Sequence, residues 1–242
     1  MILSYFLVAI ILLLVGFQIW SYVYSGDSAS TINHKVREGN SCAINKSVSI
    51  KDPETKIQYT LAFCKDSCEN GLPHTSDANT IMIPESYSKQ YLVTTIQHEK
   101  IHLLQRRYPE LWETWYKNLW SYRLAEEPPA EMPLTLLRRR RFNPDIEYKP
   151  FAVWKDRWWS ITCYTTDTPR SLTDAKTYWW DAKTGVSGLE PPPEWLEFFG
   201  AVAQDEHPHE MSAQMIANKS GNKNRILELT ELYTAHFVQK TS

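Results

Sequence analysis

The segment from Tyr87 to Arg107 constrains what this chain can fold into more than any other part of its sequence. Residues recur in it at the spacing of a helix face, and they are Tyr91, Leu92, Thr95, Ile96, His98, Glu99, His102, Leu103 and Gln105. Two basic residues lie near its end and Pro109 lies beyond them, as is typical of a helix C-terminus. We therefore predict a long central helix that is buried in the interior of a domain.

This helix carries the sequence His98-Glu99-Lys100-Ile101-His102, which matches the pattern H-E-x-x-H. Residues four apart share a helix face, so the imidazoles of His98 and His102 can reach one metal ion. Glu99 lies about 100° round the helix from His98, where its carboxylate can take a proton from a water and later return it to a leaving group. The pattern predicts a catalytic metal centre, and the alternative is two buried His residues satisfied by hydrogen bonds.

The stretch from His74 to Arg107 resembles the zincin metallopeptidases. Asn79-Thr80-Ile81-Met82-Ile83-Pro84 comes shortly before His98-Glu99-Lys100-Ile101-His102 and Gln105-Arg106, and together they resemble the edge strand and active-site helix of that family. The resemblance implies an α+β fold, a zincin-like domain in which a small mixed sheet packs on the active-site helix.

The same resemblance implies Zn2+ as the cofactor and a peptide or protein as the substrate. Gln105 and Tyr108 occupy the Gly and third His positions of the metzincin branch, so the chain is closer to the gluzincin branch, where a downstream helix supplies a Glu ligand. The family's edge strand pairs with an extended substrate, and the corresponding residues here are Thr80, Ile81, Met82 and Ile83.

Two His residues leave a catalytic zinc short of its third protein ligand. We choose Glu210 for this role, because Pro208 suits the first turn of a helix that would carry it. Gluzincins have an acid four positions after this Glu that orients a His ligand; Gln214 holds that position here and can accept a hydrogen bond without charge. Glu210 could instead only stabilise the helix N-terminus. The alternative ligands are His207 and His209.

The first 24 residues, Met1 to Tyr24, contain no Asp, Glu, Lys or Arg. At ~1.5 Å per residue, a helix over this segment is long enough to cross a hydrocarbon core of ~30 Å. We predict a transmembrane anchor over residues 1–24, a polar tether over 25–40 and one zincin-like domain over 41–242. The alternative is a cleaved signal peptide, which the missing basic region before the apolar stretch disfavours. The general pattern also resembles membrane-anchored proteins of large DNA viruses.

The sequence contains signals for both possible orientations of the domain relative to the membrane. Lys35 and Arg37 after the apolar segment favour a cytosolic domain. Four cysteines, which could form two disulfides or stay as buried thiols, and the sequons at Asn45 and Asn218 favour a lumenal or extracellular one. We predict a single-pass membrane protein whose domain is lumenal or extracellular.

Further elements follow from local patterns. We predict strands over Ile57–Phe63, Thr80–Ile83 and Thr177–Trp180, and a hairpin of Phe151–Val153 with Trp158–Tyr164. We predict helices that start at Pro109, after Pro191–Pro193 and over Pro208–Ala217. The run Arg138–Arg141 is interpreted as a solvated face, a lipid-binding patch or a processing site.

The predicted function is zinc-dependent hydrolysis of a peptide bond, with Zn2+ held by His98, His102 and Glu210 and water activated by Glu99. Lys and Arg total 26 against 28 Asp and Glu, so no nucleic-acid partner is expected. The alternatives are a hydrolase of another substrate and a catalytically inactive, membrane-anchored binding or structural protein of the zincin fold. The residue that would stabilise an oxyanion is unassigned, and the candidates are Tyr148, Tyr164 and Tyr178.

Overall fold

The computed structural model describes residues 28–38, 40–202 and 204–238, which form an α+β fold with two sheets. Its strands are β1 (Ile44–Lys51), β2 (Gln58–Cys64), β3 (His74–Thr75), β4 (Thr80–Pro84), β5 (Tyr122–Ala125), β6 (Phe151–Trp154), β7 (Trp158–Tyr164), β8 (Ala175–Asp181) and β9 (Ser187–Gly188). Its helices are α1 (Ala29–Val36), α2 (Leu92–Arg107), α3 (Pro109–Trp120), α4 (Leu134–Arg138), α5 (Pro193–Phe199), α6 (Pro208–Asn218) and α7 (Lys223–Phe237).

The first sheet is mixed and has the order β1-β2-β4-β3. β2 pairs with β1 antiparallel and with β4 parallel, and the short β3 adds antiparallel to the far side of β4. The strands predicted over Ile57–Phe63 and Thr80–Ile83 are confirmed as β2 and β4. β1 was not predicted, because the polar Lys46 interrupts the apolar face of Ile44, Val48 and Ile50 and leaves only a short alternation. All of its residues except Ile50 are exposed.

The second sheet is an antiparallel meander in the order β5-β6-β7-β8-β9. The predicted hairpin is confirmed as β6 and β7. Lys155 and Asp156 in its turn have φ of 51° and 50°, the left-handed conformation whose twist matches that of the flanking strands. The strand predicted over Thr177–Trp180 is confirmed within β8.

Helices fill the space between the two sheets and share one hydrophobic core with both of them. Aromatic side chains dominate this core, and the fully buried ones include Trp112, Trp120, Trp154, Trp179, Trp195, Tyr116, Tyr122 and Phe199. α3 begins at Pro109, as predicted, and ends where Ser121 adopts a φ of 56°. Because the core is continuous from sheet to sheet, α2 is covered on several sides by other elements, which explains the burial of its polar residues.

The prediction that residues 25–40 form a polar tether is wrong in part, because α1 lies within this segment. Ser28 caps this helix by accepting a hydrogen bond from the Thr31 backbone N–H, and Ile32 and Val36 are buried against the β7 end of the second sheet. The predicted membrane anchor, residues 1–24, lies outside the described residues. Within the part of the chain that the structure describes, none of the helices has the length and apolar character needed to cross a membrane.

The four cysteines form one disulfide. Cys42 and Cys68 are bonded to each other, whereas Cys64 and Cys163 are buried thiols.

Three of the four residues in the run Arg138–Arg141 form ion pairs with acids of the same domain. The pairs are Arg139–Asp167, Arg140–Glu147 and Arg141–Glu206. These three arginines therefore contribute contacts within the domain.

One face of α2 is fixed to the β1–β2 turn by a buried ion pair. Lys100 Nζ lies 2.8 Å from Asp52 Oδ2, and both side chains are 7% exposed. The other oxygen of Asp52 accepts hydrogen bonds from the backbone N–H and the hydroxyl of Thr55. The pair thus connects the central helix to a turn that the same carboxylate stabilises.

Replacing Lys100 by Met should destabilise the fold, because it leaves the Asp52 carboxylate buried without its cation. Removing one partner of a buried ion pair typically costs about 3–5 kcal/mol. We expect the free energy of unfolding from urea titration to fall by this amount, and the double variant Lys100→Met/Asp52→Asn to recover part of it. An unchanged free energy of unfolding in Lys100→Met would contradict the role given to the pair.

Candidate metal centre

α2 and α6 bring the predicted ligands together. His98 and His102 lie one turn apart on α2, and Glu210 lies in the first turn of α6, which starts at Pro208 as predicted. The side chains of His102 and Glu210 are 0% and 4% exposed, and that of His98 is 12% exposed. The three side chains therefore meet at the base of a cleft and are largely shielded from water.

Three atoms of these residues form a nearly regular triangle. His98 Nε2 lies 3.0 Å from His102 Nε2 and 3.3 Å from Glu210 Oε2, and the third distance, from His102 Nε2 to Glu210 Oε2, is 3.5 Å. A tetrahedron with ligands at about 2.0–2.1 Å from zinc has edges of about 3.3 Å. The donor atoms and their spacing thus fit one face of a tetrahedral zinc site and leave the fourth position open.

A hydrogen bond fixes which nitrogen of His102 faces this triangle. Nδ1 of His102 donates to Gln105 Oε1 at 2.7 Å, so Nε2 can present its lone pair. The amide of Gln105 is oriented in turn, because its Nε2 donates to the Tyr116 hydroxyl, the His209 carbonyl and the Ser212 hydroxyl. This role of Gln105 was not predicted. In the sequence, Gln105 was noted only because it occupies the position of the metzincin Gly.

The prediction that Gln214 orients a His ligand is corrected by these contacts. The Gln214 side chain accepts a hydrogen bond from Asn218 Nδ2 on the next turn of α6. It lines the cavity, and the residue that orients the ligand His102 is Gln105 instead. A glutamine three residues after His102 on the same helix reaches the imidazole more directly than one on a neighbouring helix.

Asn143, in the loop between α4 and β6, holds the Glu210 carboxylate. Its Nδ2 donates to Glu210 Oε1 at 2.8 Å and to Glu206 Oε1 at 3.1 Å. Arg141 donates to both oxygens of Glu206, at 2.9 and 3.0 Å. Oε1 of Glu210 is therefore occupied, and Oε2 faces the two imidazoles.

Charges balance one another at the triangle. Burial alone would lower the pKa of His102, but the carboxylates of Glu210 and Asp145 raise it to about 10. Burial alone would raise the pKa of Glu210, but His102 and His98 hold it well below its usual range. In this arrangement a carboxylate and a protonated imidazole compensate each other, as a carboxylate and a metal ion can.

Glu99 is placed beside the triangle and has a free acceptor. It is 4% exposed and lines the same cavity as His98, and its buried Oε2 has no hydrogen-bond partner among the residues that the structure describes. Burial, and next the neighbouring Asp145 carboxylate, raise the pKa of Glu99 well above the usual carboxyl range. A group of this kind can receive a proton more readily than an ordinary carboxylate.

The alternative third ligands are engaged elsewhere. His207 donates from Nε2 to the Lys149 carbonyl at 3.1 Å, and its Nδ1 accepts from the His209 backbone N–H at the start of α6. His209 contacts the hydroxyls of Tyr116 and Tyr148. Both imidazoles are fully buried, and their nitrogens are satisfied without a metal.

The oxyanion candidates do not line the cavity, among the residues that the structure describes. The Tyr148 hydroxyl bonds to His209, and the Tyr164 hydroxyl donates to Asn33. Tyr178 packs on a separate hydrophobic cluster that includes Val153 and Ile161. Tyr87 and His74 line the cavity instead. No local sequence pattern could have distinguished these two, because each reaches the cavity through the packing of distant elements.

The substrate-binding prediction for Thr80, Ile81, Met82 and Ile83 is also corrected in part. The four residues form β4, but β4 is not an edge strand, because β3 pairs with it at Ile81 and Met82. Ile81, Met82 and Ile83 are at most 3% exposed. The outer edge of this sheet beside the cavity is therefore β3.

Replacing Asn143 by Ala should weaken zinc binding, because Glu210 loses the donor that orients it. Loss of such a supporting contact typically costs roughly 10- to 100-fold in metal affinity. Competition with a chromogenic chelator measures the Kd, and thermal unfolding in excess chelator checks that the metal-free fold is intact. Gln214→Ala, which changes the same cavity away from the ligand triangle, should keep the wild-type Kd; an equal Kd in Asn143→Ala would contradict this assignment.

The metal-free protein should lose stability in mild acid through His207. Burial lowers the pKa of His207 to about 3 from the 6.5 of an exposed imidazole. Between these values the unfolded chain binds a proton that the native state does not, so stability falls by up to about 1.4 kcal/mol per pH unit as the pH drops below 6.5. His207→Asn keeps an acceptor at the start of α6 and removes the titration, so the slope of unfolding free energy against pH should become shallower. An identical slope would contradict the shift.

Comparisons with known proteins found no match. No family model, no curated protein and no solved structure matches this chain. Its function is therefore inferred from the arrangement of its own side chains.

Proposed function

We propose that this protein is a zinc-dependent hydrolase that cleaves peptide bonds. The observation that carries the proposal is the triangle of His98 Nε2, His102 Nε2 and Glu210 Oε2, with edges of 3.0, 3.3 and 3.5 Å and Glu99 beside it. Two imidazoles and one carboxylate with an open fourth position are the donor set of catalytic zinc sites, whereas structural sites are usually closed by a fourth protein ligand.

Zinc bound there would supply Lewis acidity, which lowers the pKa of a water and polarises a carbonyl oxygen. Glu99 is the general base of the proposed reaction: its free Oε2 takes a proton from the attacking water and gives it to the nitrogen of the leaving amine. Gln105 and Asn143 keep His102 and Glu210 in the orientation that ligation needs. Burial of all these groups strengthens their electrostatic interactions.

Glu99 also distinguishes this proposal from an inactive protein that keeps the metal for stability. A carboxylate oxygen that is buried without a partner costs stability, typically about 1–3 kcal/mol or more. A structural zinc site places no demand on that position. The unpaired acceptor beside the ligand triangle is therefore better explained by a catalytic role, in which a water and later an amine are its partners.

Elemental analysis of the purified protein should find about one zinc per chain, since three protein ligands meet at a single point. His98→Ala and Glu210→Ala should each lose this zinc. Glu99→Gln should retain it and lose turnover of a peptide library by at least roughly 100-fold, because the general base is gone. Zinc-free folded wild-type protein, or an active Glu99→Gln variant, would overturn the proposal.

A further inference from the structure

The edge of the first sheet that borders the cavity has no free backbone groups to offer. On the cavity side of β4, the Thr80 carbonyl accepts from the Ser76 N–H, Met82 pairs with His74 of β3, and the Pro84 carbonyl accepts from the Tyr87 N–H. β3 is closed on its outer side as well. The Thr75 N–H donates to Asp145 Oδ1 at 3.0 Å, and its carbonyl accepts from Arg106 at 3.2 Å.

An extended substrate therefore cannot add to this edge as another strand. Strand addition depends on a row of unpaired N–H and C=O groups, and here each of these groups has an intramolecular partner. Asp145 and Arg106 lie where an added strand would form its bonds. Any substrate has to be held by the walls of the cavity itself.

The cavity has a volume of about 560 Å³, in the range of roughly 300–1,000 Å³ that suits small ligands. Its walls are partly apolar and partly charged. The apolar part includes Leu72, Tyr87, Tyr91, Phe142 and Leu172. A space of this size holds a few residues at the end of a chain more readily than a long internal segment.

The charges of the walls favour an amine over a carboxylate. Among the described residues, five carboxylates and one guanidinium line the cavity, and the guanidinium, Arg141, donates to both oxygens of Glu206. Glu69 is likewise neutralised by a bidentate contact, in which Arg37 donates to both of its oxygens. The other two acids are the neighbours Glu99 and Asp145, which with His102 bring ligating atoms within 4.8 Å of one another. Asp145 Oδ1 also lies 3.8 Å from an Arg106 nitrogen, so Oδ2 is the oxygen of Asp145 that faces a ligand.

Two observations indicate where a cation would bind. Thr75 donates twice to Asp145 Oδ1, which leaves acceptor capacity on a carboxylate that has about four acceptor sites in all. Glu99 Oε2 is a buried carboxylate oxygen that has no partner within residues 28–38, 40–202 and 204–238. An ammonium against Asp145 would lie beside Glu99, and since one Cα separates the amine nitrogen of a peptide from its first carbonyl, that carbonyl would lie beside the ligand triangle.

From this geometry we propose that the cavity binds the free amino end of a peptide, with Asp145 as the residue that receives the ammonium. The inference rests on the proposed function and adds its substrate class. In the reaction the first peptide bond breaks, the hydroxyl of water joins the carbonyl carbon, and its hydrogen joins the leaving nitrogen. The products are one free amino acid and a peptide shorter by one residue.

The test compares four forms of one short peptide, incubated with the zinc-loaded full chain and analysed by mass spectrometry. The forms are a linear peptide with free ends, its N-acetylated form, its C-amidated form and its head-to-tail cyclic form. We expect single residues to be removed from the amino end of the free and the C-amidated peptides. The acetylated and cyclic forms should be cleaved at least about tenfold more slowly, because they lack the charge that Asp145 receives.

A binding measurement makes the test independent of turnover. In the Glu99→Gln protein, calorimetry should show the free peptide binding about tenfold tighter than the acetylated one. Asp145→Asn keeps an acceptor for Thr75 and removes the charge, so it should raise the KM for the free peptide and leave zinc content unchanged. Asp156→Asn makes the same change at an exposed carboxylate outside the cavity, so it is the matched control and should leave the KM unchanged.

The outcomes separate the two proposals. Cleavage of the acetylated or cyclic peptide as fast as the free one, or cleavage at internal bonds, would overturn the substrate class and leave the hydrolase proposal standing. Equal binding of free and acetylated peptides would overturn it as well. Absence of cleavage in every form would overturn the proposed function, and this inference with it.

Discussion

The contact between α2 and α6 is the interaction on which the rest of the candidate site depends. It brings Glu210 to His98 across a separation of 112 residues and removes a carboxylate and two imidazoles from water together. Burying any of these groups alone is costly, and burying them in contact is tolerated because opposite charges and hydrogen bonds compensate each other. The helices can pack this closely because α6 presents small residues such as Ser212 and Ala213, both fully buried.

Three polar residues of α2 have partners from different parts of the fold, whereas the Glu99 carboxylate keeps one oxygen without a partner among the described residues. Lys100 pairs with the β1–β2 turn, and Gln105 binds α3 and α6. Arg107 donates to the carbonyl of Gln58 at the start of β2 and to that of Ala78 in the loop before β4. The helix is therefore held in position and rotation by directed contacts as well as by apolar packing. A metal centre benefits from this, because its ligands must keep their geometry to within a fraction of an ångström.

Local patterns predicted the parts of the site that lie on one element. His98, Glu99 and His102 follow from helical spacing, and Glu210 follows from Pro208 at the start of a helix, and the structure brings these four together. α1 could also have been found from Ser28 and the pair Ile32 and Val36.

Contacts between elements that are distant in the sequence left no local sequence pattern from which they could be predicted. No role was predicted for Asn143 or Asp145, and their roles arise because the loop after α4 folds over α6 and β3. The two-residue β3 is too short to leave a periodic pattern, yet it decides that β4 is not an edge. Such features depend on the whole fold, and local sequence propensity does not encode them.

The high pKa of His102 has a consequence for how a metal would enter. With a value of about 10, this imidazole carries a proton at neutral pH when no metal is bound, and that proton compensates the Glu210 carboxylate. A zinc ion needs the same nitrogen unprotonated, so metal and proton compete for one position. Loading the site is then an exchange reaction that releases an acid equivalent to solution, and the apparent metal affinity is set by the acidity of the compartment in which the protein matures.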